Sequence, residues 1–344
     1  MNDGDEELYK RFTGLKNLYP DLQTWISIGG WSMNDAGQPT ATTFSDLAAS
    51  ESAQKKFFES LLSFMETYNF DGVDVDWEYP VAEERSGKEE DFKNFTSFLQ
   101  NLRDYLSSSG HKYGLTITIP SSYWYLRHFD IANMKKIVDW FNIMSYDLHG
   151  TWDNDNDWTG PYVRAHTNLT EIDNALELLW RNDIDADKVV LGLGFYGRSF
   201  TLQDPNCKEP GCVFSAGGKA GRCTDSVGTL SFAEIKKIVD DGAKVDFDKK
   251  AAVKIVTWDE DQWVSYDDSE TFKLKLQYAN NHCLGGTMVW ATSMDDSQGS
   301  ASAALSKLTV GRMWQEMSQW TQASPAKRWQ EQRQHGDEYR MQKW

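Results

Sequence analysis

No apolar run in the 344-residue chain approaches the roughly 18 residues of a membrane span, which argues against an integral helical membrane protein. The first residues, Met1 to Glu7, lack the basic and apolar regions of a signal peptide, so the chain as given is expected to be soluble and untargeted. Basic charge is scarce: 35 Lys and Arg stand against 52 Asp and Glu, a net charge of -17. Phosphate backbones and anionic lipid are held by clustered Lys and Arg, so neither nucleic acid nor a membrane surface is expected as a partner, and a neutral or cationic one fits better. Cysteine is sparse, with four residues. Cys207, Cys212 and Cys223 crowd a Gly-rich stretch while Cys283 stands apart, which suggests at least one local disulfide and leaves its pairing open. No His lies nearby to complete a zinc site, so no metal is expected. No internal repeat is apparent.

Apolar residues, by contrast, make up 40% of the chain, enough for one barrel-sized core with modest additions. Trp (15) and Tyr (14) are numerous, and their flat amphipathic rings suit stacking on sugar faces, although most aromatic residues in any protein are core. Two sequons, at Asn94 and Asn168, matter only in a secreted chain.

Short apolar runs bounded by Gly, Pro or Asp alternate with amphipathic stretches, the pattern of parallel strands covered by helices. Strands are expected at 24–29, 72–77, 115–119, 140–146, 189–195 and 286–291. Phe57, Leu61, Phe64 and Met65 mark one helical face within 52–68, and Phe92, Phe95, Leu99 and Leu102 another within 88–106. Ile172, Ala175, Leu176 and Leu179 repeat the pattern within 171–182. This order predicts an α/β protein, either a (β/α) barrel or a doubly wound sheet. Periodicity breaks over 197–266, where only one short helix, near 231–240, is expected; this segment reads as an inserted α+β lobe. Alternation resumes with a helix at 269–280, the strand ending at Trp290 and a helix near 300–308. The barrel is therefore assigned to 1–196 and 267–311, the lobe to 197–266, and a polar, flexible tail to 312–344.

Within Asp71-Gly72-Val73-Asp74-Val75-Asp76-Trp77-Glu78, the strand period of two puts Asp74, Asp76 and Glu78 on one face. Neighbours on that face lie roughly 6.5 to 7 Å apart, too close for three buried carboxylates to ionise cheaply together. At least one must hold a proton, as a general acid does near neutral pH. Glu78 is last in the run, at the strand's C-terminal end, where barrel active sites sit, and is the candidate acid. A straight strand cannot wrap calcium as a Gly-turn loop does.

The spacing Asp71-x-x-Asp74-x-Asp76-x-Glu78 resembles the signature of glycoside hydrolase family 18, the chitinases. Companion motifs follow in order. Ser27-Ile28-Gly29-Gly30-Trp31 is similar to the family's third-strand motif, Met144-Ser145-Tyr146-Asp147 to the sixth, Tyr196-Gly197-Arg198 to the end of the seventh, and Trp290 to the eighth-strand Trp that floors the -1 sugar subsite. The resemblance covers roughly residues 8–311. The cysteine-rich insert and Leu148-His149-Gly150-Thr151-Trp152 are most similar to killer-toxin-like chitinases of filamentous fungi.

The resemblance implies a TIM (β/α)8-type barrel with the α+β insertion between strands seven and eight. It further implies a secreted, monomeric enzyme acting on chitin or chitooligosaccharides without cofactor. Glu78 would protonate the glycosidic oxygen while the substrate's own 2-acetamido carbonyl attacks the anomeric carbon, giving an oxazolinium ion with no protein nucleophile. Asp76 would bind the acetamido N–H, Asp74 would share its proton, Tyr146 would bind the acetamido oxygen and Asp147 would help hold a distorted ring. Trp31, Tyr79, Met144, Trp152, Tyr196, Arg198 and Trp290 would contact sugar, while Gly29, Gly30 and Asp71 would shape the backbone. In the family two strands precede the Ser-x-Gly-Gly strand, yet about twenty residues stand before Thr24 and read as a helix. The barrel is therefore expected to lack its first two strands. An impaired fragment, a chitin-binding lectin on the same fold and an endo-β-N-acetylglucosaminidase acting on N-glycans are the alternative readings; the acid at Glu78 weighs against the lectin.

Overall fold

Strands whose two faces are both apolar need cover on both sides, and the six expected runs meet that need as one parallel sheet in a computed structural model that describes residues 4–307. Along the chain come β1 (Trp25–Gly29), β2 (Gly72–Asp76), β3 (Gly114–Pro120), β4 (Phe141–Met144) and β5 (Val189–Gly194). Then follow β6 (Tyr196–Leu202), β7 (Phe214–Gly217), β8 (Thr229–Ser231), β9 (Lys244–Asp248), β10 (Val253–Trp258), β11 (Gln262–Tyr266) and finally β12 (Gly286–Trp290). β12 returns to pair in parallel with β5, so the sheet order is β1-β2-β3-β4-β5-β12, an α/β arrangement of the TIM type. Among the described residues its edge strands are β1 and β12, each paired on one side.

The helix Glu51–Tyr68 starts at Ser50, whose hydroxyl accepts the Ala53 amide, and stops where Asn69 turns left-handed at φ 62°. It buries Phe58, Leu61, Met65 and Tyr68. The helix Asp91–Ser108 buries Phe95, Phe98, Leu99, Leu102 and Leu106, each contributing about 1.5–3 kcal/mol of transfer free energy. Phe92, counted with that face from its spacing, is instead exposed, because Asp91, one turn before Phe95, takes the first buried position of the stripe at 1% exposure.

β6 to β11 form a second, antiparallel sheet in the order β7-β6-β11-β10-β9, with β8 on β6. The single helix expected here is present as Phe232–Asp240, held by a Ser231/Glu234 capping box. Val163, Phe200, Phe214, Val253 and Trp263 pack as its own apolar cluster. This sheet begins at Tyr196, directly after β5, so Tyr196 opens the second sheet and does not end a barrel strand.

The disulfide joins Cys207 to Cys212, whose Cα atoms lie 5.7 Å apart. Cys223 is free and exposed, which corrects its place among the paired candidates: its loop is organised instead by Glu234, whose carboxylate accepts the Cys223 amide at 2.6 Å. No helix among the described residues is long and apolar enough to cross a membrane. The chain is helical again from 300 to 307; the tail assigned to 312–344 lies outside the described residues.

Candidate active site

β2 carries Asp74 and Asp76 inward, and Glu78 follows just past its end. Asp74, lowest, accepts hydrogen bonds from Ser27 of β1 (2.9 Å), Thr116 and Thr118 of β3 (2.7 and 2.9 Å) and Asn142 of β4 (3.0 Å). Four donors from three neighbouring strands thus fill the acceptor sites of this carboxyl group. Asp76 Oδ1 is buried with no hydrogen-bond partner. Burial, then the charges of Glu78 and Asp74, push its carboxyl well above the usual range. Glu78, just past the strand and 7% exposed, is also pushed up by burial. A hydrogen bond with Tyr79 and the Arg85 charge oppose that shift, while Asp147 and Asp35 add to it.

Gly29 explains how β1 comes so close to this cluster. Its φ is +125°, and a Cβ there would lie 1.9 Å from the Asp76 carbonyl oxygen. Gly30 then donates its amide to that oxygen at 2.8 Å, and Trp31 follows, half exposed, on the short helix Trp31–Asn34. Tyr79 stacks on Tyr125 at 4.1 Å and meets Trp31 edge-on at 6.4 Å. The Glu78–Tyr79 and Trp290–Ala291 peptides are cis.

The facing wall follows β4. Asp147, at φ +57°, accepts both prongs of Arg198 at 2.7 and 2.6 Å, and Arg198 also donates to Thr229. Burial alone would raise the Asp147 carboxyl, but His166 and Arg198 beside it outweigh this and hold it well below the usual range. The Tyr146 hydroxyl is pushed well up by burial and by the charges of Asp76, Asp147 and Glu78, so it stays a neutral donor; Tyr196 is raised by burial in the same way. Tyr146 meets Met288 Sδ at 4.0 Å. Arg198 lies 4.9 Å over the Trp152 ring, which folds back over Gly150 so closely that a Cβ there would sit 2.3 Å from it.

Trp290 ends β12 half exposed, its carbonyl accepting the Phe195 amide. Met144 is partly buried, and its carbonyl accepts from Ser121. Asp71 stands away from the acids at the start of β2, bracing Lys16 (2.9 Å) and the Thr24 amide (2.7 Å).

Arg85 and His166 belong to this site and were not singled out from the sequence. His166 is fully buried; its Nε2 faces the Tyr196 carbonyl, which can only accept, so Nε2 carries the proton and Nδ1 accepts the Asp147 amide at 3.3 Å. Thr116 and Thr118 did carry a signal: in an otherwise apolar run they alternate as the acids do, marking an inward polar face.

His149 sits between Asp153 (2.7 Å) and Glu171 (2.8 Å) and anchors the loop of Trp152. Burial would lower it, but hydrogen bonds to the two carboxylates raise it to about 9. A raised folded pKa stabilises fully below the unfolded value of about 6.5 and is lost as pH rises through about 9. Thermal melts are expected to fall between those limits, and His149→Gln to flatten that slope; an equal slope in the variant would refute the assignment.

Two buried carboxyls, both raised by desolvation, at the C-terminal mouth of parallel strands resemble the acid sites of barrel hydrolases. Residues 1–295 match glycosyl hydrolases family 18, and the chain belongs to that family. It is 32% identical to the secreted chitinase LysM12 of Penicillium expansum, over 83% of this chain and 20% of that protein. The killer toxin subunits alpha/beta of Kluyveromyces lactis are likewise 32% identical, over 78% of this chain and 23% of theirs. The chain thus spans a fifth to a quarter of these relatives' lengths. Among solved structures it is similar to a mutant of catalytic domain 2 of the Ostrinia furnacalis Group II chitinase in complex with (NAG)5. That match has a TM-score of 0.77 and 28% identity, over 90% of this chain and 82% of that one.

Proposed function

We propose that this chain hydrolyses β-1,4 bonds between N-acetylglucosamine units of chitin or chitooligosaccharides, with retention, by substrate-assisted catalysis. The observation that carries this reading is Asp76 Oδ1: a buried oxygen with no partner, beside Glu78, whose carboxyl burial pushes up, is matched by a donor that a 2-acetamido N–H would supply. Glu78 gives its proton to the glycosidic oxygen as the C1–O bond breaks and the acetamido carbonyl oxygen bonds to C1. Asp76, its proton shared with Asp74 below, offsets the positive oxazolinium, and the neutral Tyr146 hydroxyl donates to the acetamido oxygen. Water then attacks C1, gives a proton to Glu78 and regenerates the acetamide, so two inversions leave the configuration unchanged. Trp31, Trp152 and Trp290, each about half exposed, offer faces for sugar stacking.

We read β1–β5 and β12 as strands three to eight of the family's barrel and β6–β11 as an insertion between seven and eight; the order of the motifs supports this. A secreted location is supported by the secreted fungal relative and by the Cys207–Cys212 disulfide, a bond that persists in oxidising compartments.

The test is proton NMR of the first products from chitin oligomers, set beside digestion of a high-mannose glycoprotein. The β-anomer is expected first, with fully deacetylated oligomers untouched. Initial α-anomer, or cleavage of deacetylated oligomers, would overturn the mechanism, and cleavage of the glycoprotein alone would move the substrate class.

A further inference from the structure

Arg85 closes the Glu-Glu-Arg turn 83–85, a sequence that reads as solvent-facing, yet the residue is 6% exposed. Its Nε donates to the Glu78 carbonyl at 3.1 Å, Nη1 to Asp35 at 2.9 Å, and Nη2 to the Trp31 carbonyl. The guanidinium also lies over the Trp31 ring, its Cζ 3.6 Å from the ring centroid. Asp35, its carboxylate partner, is itself 39% exposed, so this charge is weakly compensated for its depth. A buried cation that grips two backbone carbonyls and covers one face of a half-exposed Trp is placed to align those groups.

We propose that Arg85 is a positioning residue that holds the stacking ring of Trp31 and the backbone of Glu78 as one unit, setting a sugar on Trp31 in register with the proton donor. The inference rests on the chitin-cleaving reading of the site. It also separates two properties of Arg85, its shape and its charge. Lys keeps the charge but loses the fork and the flat face, whereas Met loses both. The groups that shift Glu78 are Tyr79, Arg85, Asp147 and Asp35; Asp76 lies below and is itself shifted by Glu78. Arg85 is the cation among them, so its removal raises the Glu78 carboxyl. Because the acid must be protonated to work, that moves the alkaline limb of kcat to higher pH.

The experiment compares Arg85→Lys and Arg85→Met on chitin oligomers, together with 19F NMR of 5-fluorotryptophan-labelled protein in which Trp31→Phe assigns the Trp31 signal. Arg85→Lys is expected to raise KM about tenfold with the alkaline limb unmoved. Arg85→Met should raise KM similarly and shift the limb upward. In both variants the Trp31 signal should move or broaden. An unchanged Trp31 signal in Arg85→Lys overturns the proposal whether or not the protein cleaves chitin, as does a wild-type KM in both variants. A wild-type enzyme inert on chitin oligomers counts against the function and leaves the 19F result to judge Arg85. Should the Met variant fail to fold, the Lys variant still decides.

Discussion

Glu78→Gln is expected to lower kcat on chitin oligomers by about 10³-fold, within the range that a positioned general acid contributes, while KM stays within a few-fold. Gln keeps the shape of the side chain but has no proton to hand over. No neighbour can replace it. Asp147 is held ionised by Arg198 and His166, Asp74 is occupied by four donors, and in the proposed mechanism Asp76 serves the acetamido group. Binding should survive, because the stacking rings and the Asp147–Arg198 pair are untouched. The fold should survive as well: a buried group that is raised by desolvation is a cost to the folded state, and a neutral amide lightens it. Steady-state kinetics with calorimetric binding decide the matter. A Gln variant with more than a tenth of wild-type activity would sink the assignment of the acid.

The acids were legible in the sequence for a physical reason. Alternation at period two is local, so Asp74, Asp76 and Glu78 could be placed on one buried face from seven consecutive residues. The six parallel strands were legible likewise, each being a short apolar run between turn residues. What stayed hidden depends on distant pairing. Asp74 is satisfied by Thr116, Thr118 and Asn142, which only the strand register brings to it. Arg85 hides in a charged turn whose local composition says solvent, and its burial comes from packing against the end of β1. The Cys207–Cys212 pairing was open among three candidates because Cys223 is withheld by Glu234, a contact eleven residues along the chain. Sequence patterns thus located the chemistry, while its alignment lies in contacts between segments.

That alignment also predicts the largest effect on stability, at Asp267. The side chains of Lys275 and Asp267 are only 1% and 0% exposed, their atoms 2.5 and 2.6 Å apart, and Thr167 and Thr271 each donate to the carboxylate at 2.7 Å. The pair joins the end of β11 to the helix Ser269–Asn281, and through Thr167 it reaches the residue beside His166. Asp267→Asn leaves an ammonium buried without its counter-charge, which costs about 3–5 kcal/mol and lowers Tm by roughly 10 °C for a domain of this size. Burial already pushes Lys275 down while Asp267 holds it up, so loss of the carboxylate depresses it further. A lysine depressed in the folded state leaves the unfolded chain binding more protons, so the variant's stability should rise with pH. The double change Asp267→Leu with Lys275→Met should recover most of the lost stability, since removing both charges removes their desolvation. It should not recover all of the activity. Thr167 would still lose its partner, and with it the support of His166, whose ring holds the Asp147 amide and the Tyr196 carbonyl. Melting curves and kcat measured on both variants separate the two roles. A stable double variant with full activity would show that the ion pair serves the fold alone, whereas restored stability with depressed kcat ties this buried pair to the placement of Asp147.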